Sequence, residues 1–124
     1  MQTKVLFLGL SALILAGCAT STSYIHYTTK QFPPKDINYT ENIYPATQAL
    51  PAGNPYYVIG RVSVEGYASD GVSPESLANK ARIMAQKRGA DAIINASTVI
   101  YRIYSDELLR FKGELIVYSS PTTN

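Results

Sequence analysis

The stretch Ser73-Pro74-Glu75-Ser76-Leu77-Ala78-Asn79-Lys80-Ala81-Arg82-Ile83-Met84-Ala85-Gln86-Lys87-Arg88-Gly89-Ala90-Asp91-Ala92-Ile93-Ile94-Asn95 changes its period once, at Gly89. Before the glycine it reads as a helix. Ser73 is a good N-cap, Pro74 suits the first helical position, and Glu75 places a negative charge near the positive end of the dipole. Leu77, Ala81, Met84 and Ala85 follow at i, i+4, i+7 and i+8, forming one apolar stripe flanked by Ala78. Ile83 falls on the opposite side, near Lys80, Gln86 and Lys87, and is expected to face solvent. Lys87 and Arg88 occupy the last turn, and Gly89 fits the left-handed residue that ends a helix. The alanines of the stripe let such a helix sit close on a sheet.

Strands are predicted on both sides of this helix. Upstream, Tyr56 to Glu65 alternates, with Val58, Gly60, Val62 and Val64 on one face and Tyr57, Ile59, Arg61, Ser63 and Glu65 on the other. Gly66 to Gly71 carries turn chemistry at both ends. Downstream, Ala90 to Tyr104 is long for one strand, and its alternation shifts. Ile94 and Ala96 share a face with Ile100, whereas Val99, Tyr101 and Ile103 share the other. A bulge or bend between Asn95 and Ser97 reconciles the two phases. After the polar connection Ser105-Asp106-Glu107, Leu108 to Tyr118 returns as a hairpin partner. The expected class is α+β, a β-α-β-β domain over residues 56–119 with one helix on a largely antiparallel sheet. About 65 residues make a marginal core without disulfides, so self-association or a partner covering the second face is thinkable.

The region before this domain has a different character. From Ala19 to Pro55 it is rich in Thr, Ser, Asn, Tyr and Pro, and neither apolar period is sustained. Prolines favour extended backbone and remove amide donors, so residues 18–55 read as a tether behind the domain. Fully extended at about 3 Å per residue, it would reach roughly 100 Å. Tyr24, Tyr27, Tyr39 and Tyr44 leave open that part of it packs on the domain or on a partner. Residues 120–124 read as a short tail.

The amino terminus carries a targeting signal. Lys4 supplies a positive start, and Val5 to Ala16 is apolar apart from Gly9 and Ser11. A run of about a dozen residues suits the core of a signal peptide and is short for a membrane span. It ends in Leu15-Ala16-Gly17-Cys18, which resembles the lipobox of bacterial lipoproteins, with residues 1–17 as the signal. That resemblance implies recognition of Leu15, Ala16 and Gly17 by the lipoprotein signal peptidase and attachment of diacylglycerol (the palmitate-bearing anchor) to the thiol of Cys18. Acylation of the new amino terminus would follow, and several chains together hold stably where one does not. Cys18 is the only cysteine, so a thioether there would leave no free thiol to oxidise in an exported chain and no disulfide. Ala19, rather than Asp, after the cysteine resembles the signal for the outer membrane, on its periplasmic face.

Residues 73–118 resemble two bacterial groups. The helix, the run Ala85-Gln86-Lys87-Arg88-Gly89-Ala90-Asp91-Ala92-Ile93-Ile94-Asn95 and a closing strand around Gly113 look like the periplasmic domain of RcsF-like stress-sensing lipoproteins and like the YbjQ-like small domains. The likeness implies the fold. RcsF-like domains carry disulfide-forming cysteines that this chain lacks, while the ring-forming YbjQ-like domains make a homo-oligomer thinkable.

Composition and residue inventory narrow the function. Formal charge is +2, and loss of Lys4 with the signal leaves about +1, with no basic patch to favour nucleic acid. Ten tyrosines and no tryptophan fit wet interfaces and half-exposed strand faces equally. No catalytic or metal-ligating set is expected and no cofactor is implied. His26 stands alone in the tether, Asp91 beside the helix end suits backbone bonding, and adjacent Asp106 and Glu107 should diverge in a turn. The expected function is a lipid-anchored envelope interaction module, either a sensor or an accessory subunit of an outer-membrane assembly such as a secretion system. Tyr101 and Tyr104 are the candidate contacts with an envelope protein partner. The alternative is a periplasmic lipoprotein that binds a small ligand or peptidoglycan.

Overall fold

The computed structural model describes residues 19–48 and 55–119. Leu15, Ala16, Gly17 and Cys18, the rest of the signal segment and the 120–124 tail lie outside the described residues. The elements are β1 (Thr20–His26), β2 (Asn42–Pro45), β3 (Tyr56–Tyr67), a 3-10 turn (Ala68–Asp70), α1 (Pro74–Arg88), β4 (Ala92–Ile103) and β5 (Asp106–Tyr118). They form one five-stranded sheet in the order β1-β3-β5-β4-β2. All pairings are antiparallel except β2 with β4. One helix packs on a mostly antiparallel sheet, an α+β fold. Among the described residues no helix is long and apolar enough to cross a membrane.

The α1 stripe is buried as its spacing predicts. Leu77, Ala81 and Ala85 are wholly buried against Val62, Val64, Ile93, Phe111 and Leu115, while Ile83 is exposed. At the amino end Ser73 Oγ accepts from the Ser76 amide at 3.2 Å, and the Ser76 hydroxyl oxygen accepts from the Ser73 amide at 2.9 Å. This is a reciprocal capping box with serine in the place usually taken by Glu or Gln. At the carboxyl end Gly89 has φ 75°, and its amide donates to Ala85 O and Gln86 O. A side chain at Gly89 would also collide with the Pro33 carbonyl.

That collision points to the main correction. The segment read as a tether is built into the domain. Thr20–His26 pairs along its whole length with β3, and Asn42–Pro45 adds in parallel beside β4. Between them, residues 27–41 cross the carboxyl end of α1. The Lys35 amide donates to Gln86 O at 3.0 Å, and Gln86 Nε2 donates to Asp36 O at 2.6 Å. A helix leaves its last four carbonyls without partners, and this crossing supplies donors to one of them. The prolines are accommodated because they lie in the crossing (Pro33, Pro34) or at the end of a strand (Pro45). Tyr24 reaches inward over β3 where Gly60 leaves room for its ring, with the Arg88 guanidinium 4.7 Å from the ring centroid.

Two strand phases also differ from simple alternation. A register shift between Val58 and Gly60 turns Ile59 toward the helix with Val62 and Val64. Val58 therefore packs on the other face, with Ala92, Ile94 and Ile116 and the rings of Tyr44 and Tyr118. In β4 the irregularity falls between Ile94 and Ser97, with Asn95 at φ 53° and its side-chain Nδ2 donating to Glu114 Oε1 at 2.6 Å. The bulge lies where the broken alternation put it. Its effect on faces is different: Ile94 joins the outer cluster and Ala96 the helix-side core, rather than sharing a face.

Candidate interaction surface

The two strands of the β4–β5 hairpin project beyond the rest of the sheet on one side. The short β2 accompanies β4 only as far as Ala96, whose carbonyl accepts from the Ala46 amide at 3.1 Å. From Ser97 to Ile103, β4 is hydrogen-bonded to β5 on one side and, among the described residues, to no strand on the other. Such an edge presents a row of free amides and carbonyls. Proteins that leave an edge unused blunt it with prolines, lysines or bulges. Here the bulge ends before Ser97, and Arg102 is the one charge in the stretch.

The side chains along this edge are apolar and uncovered. Val99, Tyr101 and Ile103 pair across from Arg110, Leu108 and Asp106, on the face opposite the helix. They are 43%, 39% and 37% exposed, and Ile100 on the other face is 53% exposed. Tyr101 has a fixed floor, because the Arg110 guanidinium lies 5.2 Å from its ring centroid and bonds Glu65 at 2.8 Å. The bond to Glu65 and the charge of that carboxylate push the Arg110 pKa further up, so this cation is permanent.

Tyr104 occupies a different position from Tyr101. It lies in the two-residue turn closed by the Ile103–Asp106 pair, at φ 56°, and is 98% exposed. Asp106 fixes the turn by accepting from Ser69 Oγ at 2.5 Å, the Ser69 amide at 3.2 Å and the Glu107 amide at 2.8 Å. Those bonds, led by the one from the Ser69 hydroxyl, hold its carboxyl below the usual carboxylate range. Glu107 instead faces Arg102 at 3.5 Å, so the two adjacent carboxylates diverge. Sequence reading put Val99 and Ile103 on one face with Tyr101, as found, but did not name them as contact residues. The sign was present in the run Ser97–Tyr101, which contains neither charge nor proline.

A second concave region lies where the 27–41 crossing meets the sheet. Its volume is about 640 Å³, and Phe32, Lys35, Tyr39, Asp91 and Tyr118 line it. Asp91 bonds Lys35 Nζ at 2.5 Å through one oxygen and the Tyr118 amide at 2.7 Å through the other. The Tyr39 hydroxyl donates to Asp91 O at 2.7 Å. Asp91 thus joins three segments of the chain. His26 stacks edge-on to Tyr24 at 4.7 Å and lines a separate small cavity with Lys30 and Arg88.

Glu41 stands just before β2 and is 2% exposed, with Oε2 lacking a hydrogen-bond partner. Burial pushes its pKa up, and nearby Lys35 and Arg82 only partly offset this. A carboxyl whose folded pKa is raised favours the folded state most while both states are protonated. Stability is then lost as pH rises from the ordinary carboxylate range through the raised value. Glu41→Gln is therefore expected to melt at or above wild type at pH 7 and to show a flatter decline as pH rises above the ordinary carboxylate range. A steeper decline, measured by thermal melts across pH, would contradict this burial effect.

No family model matches the chain, and none of the curated proteins matches it. Among solved structures, a Francisella virulence factor, FvfA, has the same fold at TM-score 0.54 and 17% identity, covering 77% of this chain and 97% of that one. At that identity the likeness concerns architecture alone.

Proposed function

We propose that the chain is a lipid-anchored protein of the bacterial outer membrane, facing the periplasm through Cys18, whose domain binds an envelope protein by accepting a strand on the free edge of β4. The observation that carries the reading is the apolar Ser97–Ile103 edge, which among the described residues has a strand on one side only. Strand addition draws affinity from main-chain bonds and specificity from alternate side chains. Val99, Tyr101 and Ile103 supply such an alternating set. Tyr101 is the expected anchor, since aromatic residues on a rigid floor dominate contact energies. The role proposed is that of a sensor or accessory subunit and involves no chemical step.

The cavity around Lys35, Tyr39 and Tyr118 favours a second reading, a small-ligand or peptidoglycan-binding lipoprotein, because its size falls in the range of ligand pockets. It ranks second because both oxygens of Asp91 are already bonded within the chain. Purification from detergent-solubilised membranes separates the two. The double variant Val99→Lys, Tyr101→Lys keeps the helix-side core and is expected to lose a stoichiometric partner held by wild type, by about 2 kcal/mol or more. Equal recovery by both proteins removes the edge as the contact. Retention on isolated cell wall without any protein partner supports the ligand reading.

A further inference from the structure

Among the described residues, the first, Ala19, and the most exposed aromatic ring, Tyr104, lie at the same end of the sheet. Thr20 pairs with Gly66, Gly66 with Leu109, and Leu109 with Ile100, so one rung crosses four strands from the start of β1 to β4. Past this rung the hairpin continues through Tyr101, Arg102 and Ile103 to its turn. At about 3.4 Å per residue the turn stands roughly 13 Å beyond the rung. Ala19, the first described residue, stands directly before Thr20 of this rung. Three strand spacings separate β1 from β4, about 14 Å across the sheet.

We propose that the tip of this hairpin, at Tyr104, is a second membrane contact that seats the domain in the phospholipid headgroup layer beside its lipid anchor. The inference rests on the reading that Cys18 is acylated. Tyr104 is 98% exposed and adds nothing to the core. Its backbone holds φ 56°, a turn conformation that glycine or asparagine adopts at lower cost than a bulky residue. A tyrosine there does not serve the fold. It fits a headgroup layer, where the ring meets apolar carbon and the hydroxyl meets water and phosphate.

The neighbouring groups suit the same surface. Arg102 is well exposed next to Ile103, with its long Glu107 contact weak enough to exchange for a lipid phosphate. Tyr67 is exposed at the end of β3. Asp70, Asp106 and Glu107 outnumber Arg102 at this end, so the seat is carried by the exposed rings rather than by charge. A lipid anchor alone fixes one point and leaves the domain free to pivot. A second contact about 14 Å away fixes its tilt and holds the β4 edge upright at a set height above the bilayer.

The chain has no tryptophan, so Tyr104→Trp and Tyr57→Trp each introduce a single fluorescent reporter. Tyr57 is 61% exposed at the opposite end of the sheet. Each acylated full chain is reconstituted into phosphatidylethanolamine–phosphatidylglycerol vesicles and floated with them. The reporter at position 104 is expected to shift its emission to the blue, to lose iodide quenching several-fold, and to be quenched by lipids brominated near the headgroup. The reporter at position 57 should stay open to iodide. Co-flotation with both positions equally open to iodide overturns the seat while leaving the anchor intact. Failure to float, with no lipid on Cys18, overturns both. Shielding of position 104 only after a second protein is added makes the tip a protein contact and also overturns the proposal.

Discussion

Ala81→Glu is expected to unfold the domain, while the adjacent Lys80→Glu leaves its melting temperature nearly unchanged. Ala81 is wholly buried in the α1 stripe, packed in the core that Val62, Val64 and Leu115 line from the sheet. No basic side chain belongs to that cluster, so a glutamate there would be an unpaired charge in an apolar site. Cutting a buried charge off from any partner costs about 3–5 kcal/mol. A domain of this size has a total stability of about 5–15 kcal/mol, with small domains at the lower end. Lys80 is exposed one position away, where a reversed charge meets water. Circular-dichroism melts of the two variants check the helix phase, and equal melts would contradict the packing described above.

Cys18→Ser should abolish lipid attachment outright. Without the thiol there is no thioether, so the precursor is expected to keep its signal segment and to take up no alkyne-palmitate label. The order of elements sharpens this prediction. β1 begins at Thr20, leaving Ala19 as the single residue between the proposed anchor and the sheet. The domain then sits at the bilayer surface rather than far from it, and loss of the anchor should also abolish any contact that depends on that height. Normal labelling of the Ser variant would end the lipoprotein reading.

Residues 73–118 were legible because each element carried a distinct local signal. Ser73, Pro74 and Gly89 bound the helix, its stripe sets the buried face, and the disturbed alternation around Asn95 marks the bulge. The contribution of residues 20–45 was not legible, for physical reasons. On β1 Thr20, Thr22, Tyr24 and His26 share the helix side against outward Ser21, Ser23 and Ile25, so the strand's one aliphatic side chain points away from the core and the hydrophobic contrast is lost. β2 has four residues and ends in proline, and it is held by parallel pairing to a strand about fifty positions away. Glu41 gave no sign of burial, because among the charges that face it Arg82 and Asp91 come from distant parts of the sequence. The Val58–Gly60 shift was equally silent, since both Val58 and Ile59 are apolar and either phase looks consistent. At the candidate surface, Tyr101 and Tyr104 were visible as exposed-type residues near a turn. That β2 accompanies β4 only to Ala96, leaving the next seven residues of β4 with β5 as their one strand partner among the described residues, depends on tertiary structure, and it separates the roles proposed for the two rings.

The most direct test of strand acceptance is photo-crosslinking in living cells of the organism that makes the protein. A benzophenone amino acid is placed singly at Val99, at Ile103, or at Ile83 on the exposed side of α1. Adducts of one discrete mass from positions 99 and 103, with none from position 83, are the predicted result. Adducts from position 83 with none from either β4 position would contradict the claim that the free edge of β4 is where this protein meets its partner.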